Sequence, residues 1–322
     1  MNKSKLLITV IVPTHNRCES LKDTLSSLLE QACDNNFDYE IIVVDNNSKD
    51  KTREVVEEYK AKFKKKLRYI FERKQGVSSA RNRGIKEARG EIIAFTDDDC
   101  IVDKYWLVNI WNCFRKYNCD AVGGRVLPLY PKNTPKWIVA NKDILSGPIP
   151  YHDYGEETKI YVRDRTKFRM RPFIGANMAF RKKCFNENGY FLINLGPGRG
   201  IMGEDSEFFG RLERNNVSIY YCGESIVYHK IEKERLKWRY IADWFIKLGR
   251  YSAIEEKICS PNQINFLFGA PRYIFKEMMQ DSFWLFFGLI IKEKKILKKI
   301  IRFFWNVGKI IEFRKLYKYK NV

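Results

Sequence analysis

The chain has no C-x-x-C pair, and none of its three histidines stands at zinc-finger spacing from a cysteine pair. Its eight cysteines (Cys18, Cys33, Cys100, Cys113, Cys119, Cys184, Cys222 and Cys259) are scattered, which argues against structural zinc. Long apolar runs are missing too. The closest, Phe283 to Ile291, is nine residues, against about eighteen for a spanning helix, so no integral membrane segment is expected. The apolar stretch Leu6 to Val12 runs straight into Pro-Thr-His-Asn-Arg with no small-residue cleavage site, so no signal peptide and a reducing cytosol are expected. That same turn lacks the glycines of a G-x-G-x-x-G fingerprint, which excludes a Rossmann dinucleotide enzyme. There is no internal repeat and no low-complexity segment.

What is present is basic. The chain has 322 residues, 45% of them hydrophobic, enough for a sizeable core in one large or two small domains. Lys and Arg number 59 against 39 acids, a formal net charge of +20. Such an excess attracts polyanions: nucleic acid, anionic lipid or phosphorylated substrates. Eleven Lys/Arg and two Glu lie between Lys292 and Val322, so about +9 of the charge sits in the last tenth of the chain.

The first hundred residues alternate two textures. Leu6–Val12, Tyr39–Val44, Leu67–Phe71 and Ile92–Thr96 are apolar and β-branched, the pattern of buried strands. Between them, Glu19–Gln31, Ser48–Lys66 and Ser78–Ala88 read as helices, with Ser48 as an expected N-cap. Such alternation predicts an α/β fold with a mostly parallel sheet flanked by helices. Lys104–Tyr117 reads as a further helix. Prolines and aromatics make about 125–175 loop-rich, and Ser206–Asn215 resumes as a helix. Ser218–Tyr221 or Ile226–Tyr228 reads as a short strand, and the pattern beyond Glu232 is helical and basic.

Several constellations carry chemistry. Asp97-Asp98-Asp99 follows the strand Glu91–Thr96. Three adjacent carboxylates repel, and burying them needs a positive partner, for which a hard divalent cation is the natural candidate. The carboxyl end of a strand is also where α/β sheets bind ligands. A solvated acidic turn is the plain alternative. Asp45 ends the second strand, placed to accept from a base N–H or a ribose hydroxyl, or merely to cap a turn. Gly76–Gly84 opens a helix whose N-terminus suits an anion. Arg81 and Arg83 there serve a diphosphate, hold neighbouring Asp side chains, or are simply surface arginines. Glu204 and Asp205 start a helix after the glycine-rich run Gly196–Gly200, either as a general base beside a closing loop or as dipole complements. His229 follows Ile226–Tyr228, as a structural histidine or a nitrogen ligand to an oxygen-rich metal site.

In their order and spacing, Val10–Arg17, Ile42–Asp50, Gly76–Gly84, Phe95–Asp99, Gly175–Met178 and Gly203–Glu207 resemble a family 2 glycosyltransferase of the GT-A fold. The resemblance covers about 220 residues, weakens across 125–170 and is least informative after 235. It implies a nucleotide-sugar donor, usually a UDP-sugar, a Mg²⁺ or Mn²⁺ ion, and an inverting reaction of the hexosyl- or N-acetylhexosaminyl-transferase class. By that likeness Pro13, Thr14 and Asp45 line the nucleoside site and Arg81 sits beside the uridine and the acidic loop. Asp97 and Asp98 face the ribose and diphosphate, and Asp99 holds the metal. Asp205 is the base, Glu204 supports it or the acceptor, and His229 resembles a late metal-side histidine. The usual D-x-D is here D-D-D, which leaves the middle acid's role open.

The expected organisation is a catalytic domain over 1–230, with a nucleotide-binding half (1–100) and an acceptor half (101–230), then a basic helical region over 231–322. Residues 294–313 place Ile296, Leu297, Ile300, Ile301, Phe304, Val307 and Ile311 on one face, with Lys295, Lys298, Lys299, Arg302 and Lys309 largely elsewhere. With Trp305, and with Phe283, Trp284, Phe286 and Phe287 upstream, this fits a helix on an anionic membrane surface or one packed on protein. The acceptor expected is a growing surface glycan or a lipid-linked saccharide, met on the cytoplasmic membrane face. Trp137 and Tyr151–Tyr154 are candidates to stack on a sugar. A basic nucleic-acid-binding protein lacks any matching signature. A metal-dependent phosphohydrolase fits D-D-D but gives Asp45 and Gly76–Gly84 no role.

Overall fold

The computed structural model describes residues 7–33, 37–63, 65–161, 170–198, 201–259, 266–291 and 295–318. The chain divides into two compact units. One comprises 1–131, 150–198 and 204–231; the other comprises 132–149, 199–203 and 232–322.

The first unit is an α/β sheet. Strands β1 (Leu7–Thr14), β2 (Asp38–Asp45), β3 (Leu67–Phe71) and β4 (Ile92–Phe95) alternate with helices α1 (Cys18–Leu29), α2 (Thr52–Lys62) and α3 (Val77–Glu87). The order is β3-β2-β1-β4, all parallel. The two-residue period of a strand sends alternate side chains to opposite faces, and the uniformly apolar strands use both. Ile8, Val10 and Val12 pack with Leu21, Leu25 and Leu28 of α1 on one face. Ile11, Ile42 and Val44 pack with Ala80 and Ile85 of α3 on the other.

Beyond β4 the sheet becomes mixed. β5 (Cys100–Val102), α4 (Trp106–Tyr117), β6 (Ala121–Leu129), α5 (Lys136–Ala140), β7 (Lys159–Ile160), β8 (Met178–Arg181), α6 (Lys183–Asn188), α7 (Glu204–Arg214) and β9 (Ile219–Lys230) follow in the chain, α5 belonging to the second unit. The order continues β4-β8-β6-β9-β5, with β7 also on β9. β8 runs antiparallel to both β4 and β6, while β6 and β9 are parallel. Where Ser218–Tyr221 or Ile226–Tyr228 was expected as a short strand, one long strand forms. It is interrupted by a bulge opposite Gly124 and Arg125, which places the two apolar stretches in one ladder. Asn177 closes this bulge: its Nδ2 donates to the Arg125 and Ser225 carbonyls, and its Oδ1 accepts from Trp106 Nε1 at 2.9 Å. A Cβ on Gly124 would lie 2.3 Å from the Ser225 carbonyl oxygen, so only glycine fits.

Helix α2 starts later than expected. Ser48 is not its cap, because its hydroxyl accepts from the Asn16 N–H and its own N–H donates to Asp45. The helix begins at Thr52, whose N–H and hydroxyl both donate to Asp50.

The second unit is helical: α8 (Trp238–Cys259), α9 (Arg272–Ile291) and α10 (Lys295–Lys318), with a two-stranded hairpin, β10 (Phe266–Leu267) and β11 (Ala270–Pro271). The amphipathic α10 does not stand free. A Cβ on Gly249 would meet the Trp305 carbonyl oxygen at 1.9 Å, and one on Gly308 the Ile246 carbonyl oxygen at 2.0 Å. These paired glycines let α8 and α10 touch backbone to backbone. Arg250 bonds Glu312 at 2.8 Å, Lys309 bonds Glu256 at 2.6 Å, and Trp305 Nε1 donates to Ser252. Lys309, read as lying off the apolar face, is therefore buried. Asp281 of α9 is fully buried against Arg302. No helix among the described residues is long and apolar enough to cross a membrane. The side chains of Trp284, Phe286 and Phe287, and residues 199 and 200 of the glycine-rich run, lie outside the described ones.

Candidate active site at the carboxyl edge of the sheet

Parallel strands end together, so the groups that follow them collect at one edge. Thr14 pairs with Asp45 in register across β1 and β2. Ile11 pairs with Phe95, the last residue of β4 before Thr96 and the acidic triplet. Pro13 lies opposite Val44. Asp45 is buried, accepts the Ser48 N–H at 2.8 Å on one oxygen and takes the Tyr69 hydroxyl at 2.6 Å on the other. Burial and that carboxylate push the Tyr69 phenol up. Asn46 ties the wall together, accepting the Gly76 N–H and donating to the Glu72 and Lys74 carbonyls. Part of the expected anion-binding helix start is thus already used by protein.

The triplet is not a solvated turn. Asp98 and Asp99 are buried, and their partner is Arg17, whose Nη1 lies 3.3 Å from Asp98 and 2.5 Å from Asp99. Burial and the neighbouring Asp99 charge raise the Asp98 carboxyl, against the pull of Arg17. On the other side of Asp99, His229 Nε2 approaches at 3.2 Å, because β5 and β9 pair Cys100 with His229. His229 Nδ1 lies 3.0 Å from the Lys230 carbonyl. An N–H there donates to that carbonyl, leaving the Nε2 lone pair aimed at a carboxylate. Two acceptors facing each other call for a proton or a cation between them. Ligand atoms of Asp97, Asp99, Cys100 and His229 all lie within 4.8 Å of one another. Burial and the adjacent acids raise the Cys100 thiol, and beside it stand two carboxylates and an imidazole as hard donors. That mixed oxygen and nitrogen set fits Mg²⁺ or Mn²⁺.

The second acidic group is held differently. Arg81, on α3, is buried, and its Nη1 lies 2.7 Å from Asp205 Oδ1 and 3.3 Å from Glu204 Oε1. Its Nη2 reaches Asp97 at 3.5 Å. Arg81 therefore links the strand-end acids to the helix-start acids. Arg83 does not join it; it is half-exposed and pairs with Glu87. Asp205 Oδ2 accepts the Gly175 N–H at 2.9 Å. A Cβ on Gly175 would lie 1.9 Å from Arg81 Nη2, so glycine is required for this contact. Asp205 remains 19% exposed at its side chain, while Glu204 is buried. Burial raises both carboxyls, Asp205 against the opposing charge of Arg81, and Glu204 to about 7 with help from the Asp205 charge. An accessible carboxyl, raised by burial and partnered by arginine, is placed to take a proton from a hydroxyl.

Arg17, Tyr69, Asn46 and Gly175 complete the site although no role was read for them individually. Trp137 is not open for stacking on both faces: it lies parallel to Trp238, centroids 4.9 Å apart. His152 and Tyr154 pack into an aromatic cluster with Phe173 and Tyr221.

Residues 9–193 match the family model described as glycosyl transferase family 2. The glycosyltransferase AglE of Haloferax volcanii is 32% identical over 131 residues, 41% of this chain and 43% of that protein. The poly(ribitol-phosphate) β-N-acetylglucosaminyltransferase TarS of Staphylococcus aureus is 27% identical over 209 residues, 59% of this chain and 36% of that protein. The aligned stretches thus span less than half the length of either relative. Among solved structures, S. aureus TarS 1–349 superposes with a TM-score of 0.56 at 17% identity, covering 98% of this chain and 91% of that one. A mannosyltransferase of Pyrobaculum calidifontis in complex with GDP-Man and Mn²⁺ gives 0.56 at 17% identity, covering 97% and 74%. These likenesses establish a shared GT-A fold. By the family model over residues 9–193, the chain belongs to glycosyl transferase family 2.

Proposed function

We propose that the chain transfers a sugar, with inversion, from a nucleotide-sugar to a saccharide hydroxyl. The observation that carries this is Arg81, which spans Asp97 on one side and the Glu204–Asp205 pair on the other. A donor-side acid and a base-side acid are thereby fixed to one guanidinium, and neither a phosphohydrolase nor a nucleic-acid-binding module requires that link. Pro13, Thr14 and Asp45 line the nucleoside, with Asp45 preset by Tyr69. Asp97 and Asp98 face the ribose and diphosphate. Asp97, Asp99 and His229 are the residues that would hold Mg²⁺ or Mn²⁺, which supplies positive charge for the departing diphosphate. Asp205 takes the acceptor hydroxyl proton as the oxygen attacks the anomeric carbon in line, and Arg81 with the Gly175 N–H keeps it aimed. One displacement inverts the anomeric centre.

A UDP-sugar is the donor we favour, since TarS 1–349 has been crystallised with UDP and with UDP-GlcNAc. The acceptor is a surface glycan or a lipid-linked saccharide at the cytoplasmic face of an anionic membrane, a placement that suits a charge of +20. The test is acceptor-dependent product formation from UDP-, GDP- and dTDP-sugars, with the anomeric configuration read by NMR. A product that retains the donor configuration, or donor hydrolysis alone with every acceptor, overturns the reading.

A further inference from the structure

The second unit carries a surface that its packing does not explain. Strands β10 and β11 pair Leu267 with Ala270, leaving a two-residue loop, Phe268-Gly269. Both residues have positive φ, 50° and 76°. Tight hairpin turns of this kind favour Asn or Asp followed by Gly, because the first position strains any bulky side chain. Here that position holds a phenylalanine, and it is 76% exposed. Phe266 and Leu267 beside it are exposed as well, at 44% and 40%. Three consecutive exposed apolar side chains at a strained tip are an arrangement that internal packing would not select.

The rim of this tip is cationic. Arg314 Nε donates to the Phe268 carbonyl at 3.1 Å, and the Tyr317 ring lies 5.8 Å from that of Phe266. The last turns of α10 therefore flank the hairpin, and they carry Arg314, Lys315 and Lys318, all exposed. Arg272 follows the hairpin and is exposed too. Between 313 and 318 there is no acid. Glu312, one residue earlier, is buried and bonded to Arg250.

An apolar tip collared by lysine and arginine matches the layered chemistry of a bilayer surface, with anionic headgroups outside and acyl chains beneath. We propose that the hairpin Phe266–Pro271 and the end of α10 form a docking element for a bilayer bearing anionic lipids. Phe268 inserts at the headgroup–acyl boundary and Arg314, Lys315 and Lys318 meet headgroup phosphates. This deepens the membrane placement of the proposed function and rests on it, and it centres the contact on the hairpin and the end of α10. The α10 stripe that includes Trp305, Gly308, Lys309 and Glu312 is used up against α8. The hairpin tip lies outside that packed stripe and is exposed.

The experiment is co-sedimentation of the full chain with vesicles of phosphatidylcholine, alone or mixed with phosphatidylglycerol. The wild type should sediment with the mixed vesicles and remain in solution with phosphatidylcholine alone. Phe268→Asn is the decisive variant, because asparagine suits the turn and so keeps or raises the melting temperature while removing the apolar tip. It should lower binding about tenfold to a hundredfold. The double variant Lys315→Glu with Lys318→Glu should also abolish binding to the mixed vesicles. Undiminished binding by Phe268→Asn, or equal binding to neutral and anionic vesicles, overturns the proposal. So does a concentration-dependent dimer that Phe268→Asn dissolves without any vesicle binding. UDP binding, measured alongside, should be the same in every variant. Its absence from all of them would undo the donor reading and leave the docking result standing.

Discussion

The triplet at the end of β4 and the pair at the start of α7 both crowd carboxylates into buried space, and they relieve the repulsion in opposite ways. Asp98 and Asp99 meet Arg17 from one side, while His229 brings a lone pair from the other. A divalent cation there would be held by Asp97, Asp99 and His229. Glu204 and Asp205 share Arg81, at 3.3 and 2.7 Å, and Asp205 also takes the Gly175 N–H, so protein donors already fix this pair in place. The first arrangement suits groups whose counter-charge arrives with a ligand. The second suits a group that must be fixed before the ligand arrives. Arg81 touches both, so the two are separable only by changing one partner at a time.

The largest effect should come from removing that link. Arg81→Ala leaves Glu204, Asp205 and Asp97 without their shared cation, and breaking a buried ion pair costs about 3–5 kcal/mol. Urea unfolding should show a loss of that order together with loss of transfer. A variant as stable as the wild type would mean the two clusters are balanced independently. Gly175→Ala sharpens the distinction. Its Cβ displaces the Arg81 guanidinium, so turnover should fall about a hundredfold while UDP-sugar affinity holds. An equal loss of affinity would place Gly175 on the donor side.

Asp99→Ala probes the other cluster. Titration of the UDP-sugar in Mn²⁺ should show binding weakened about tenfold or more, with little difference from wild type once the metal is chelated. Unchanged Mn²⁺ dependence would reassign the ligand. The smallest effect concerns pH. Glu204 is raised from 4.5 to about 7 by burial and the Asp205 charge. The folded chain holds that proton more tightly than the unfolded one. Its contribution is therefore complete below pH 4.5 and is lost as pH rises through about 7. Glu204→Gln removes this dependence, so melting curves across that window should diverge by about 2–4 °C. Parallel curves would show that Glu204 does not titrate there.

Much of this was legible in the sequence. Uniformly apolar strands such as Leu6–Val12 announce a two-faced sheet, because burial on both sides removes the polar alternation. A carboxylate right after a strand announces the functional edge. The mixed half was less legible. Strand β5 is three residues directly after Asp99, too short to show a period, and the β9 bulge split one strand into two readings. The partners of the acids were hidden for another reason: Arg17 meets Asp99 across 82 positions, and no local pattern marks such a contact. In α10 the stripe of isoleucines was visible, but the pairing of Gly249 and Gly308 with facing backbones was not. Close helix contact depends on two glycines that look unremarkable apart.

The most direct test of the separation is Asp205→Asn, with donor binding and transfer measured on the same protein. The substitution keeps the shape that faces Arg81 and Gly175 and removes the charge that takes the proton. The account predicts UDP-sugar affinity close to wild type in Mn²⁺ and transfer reduced by at least about a thousandfold. Transfer retained in Asp205→Asn would contradict it and remove Asp205 from the role of base.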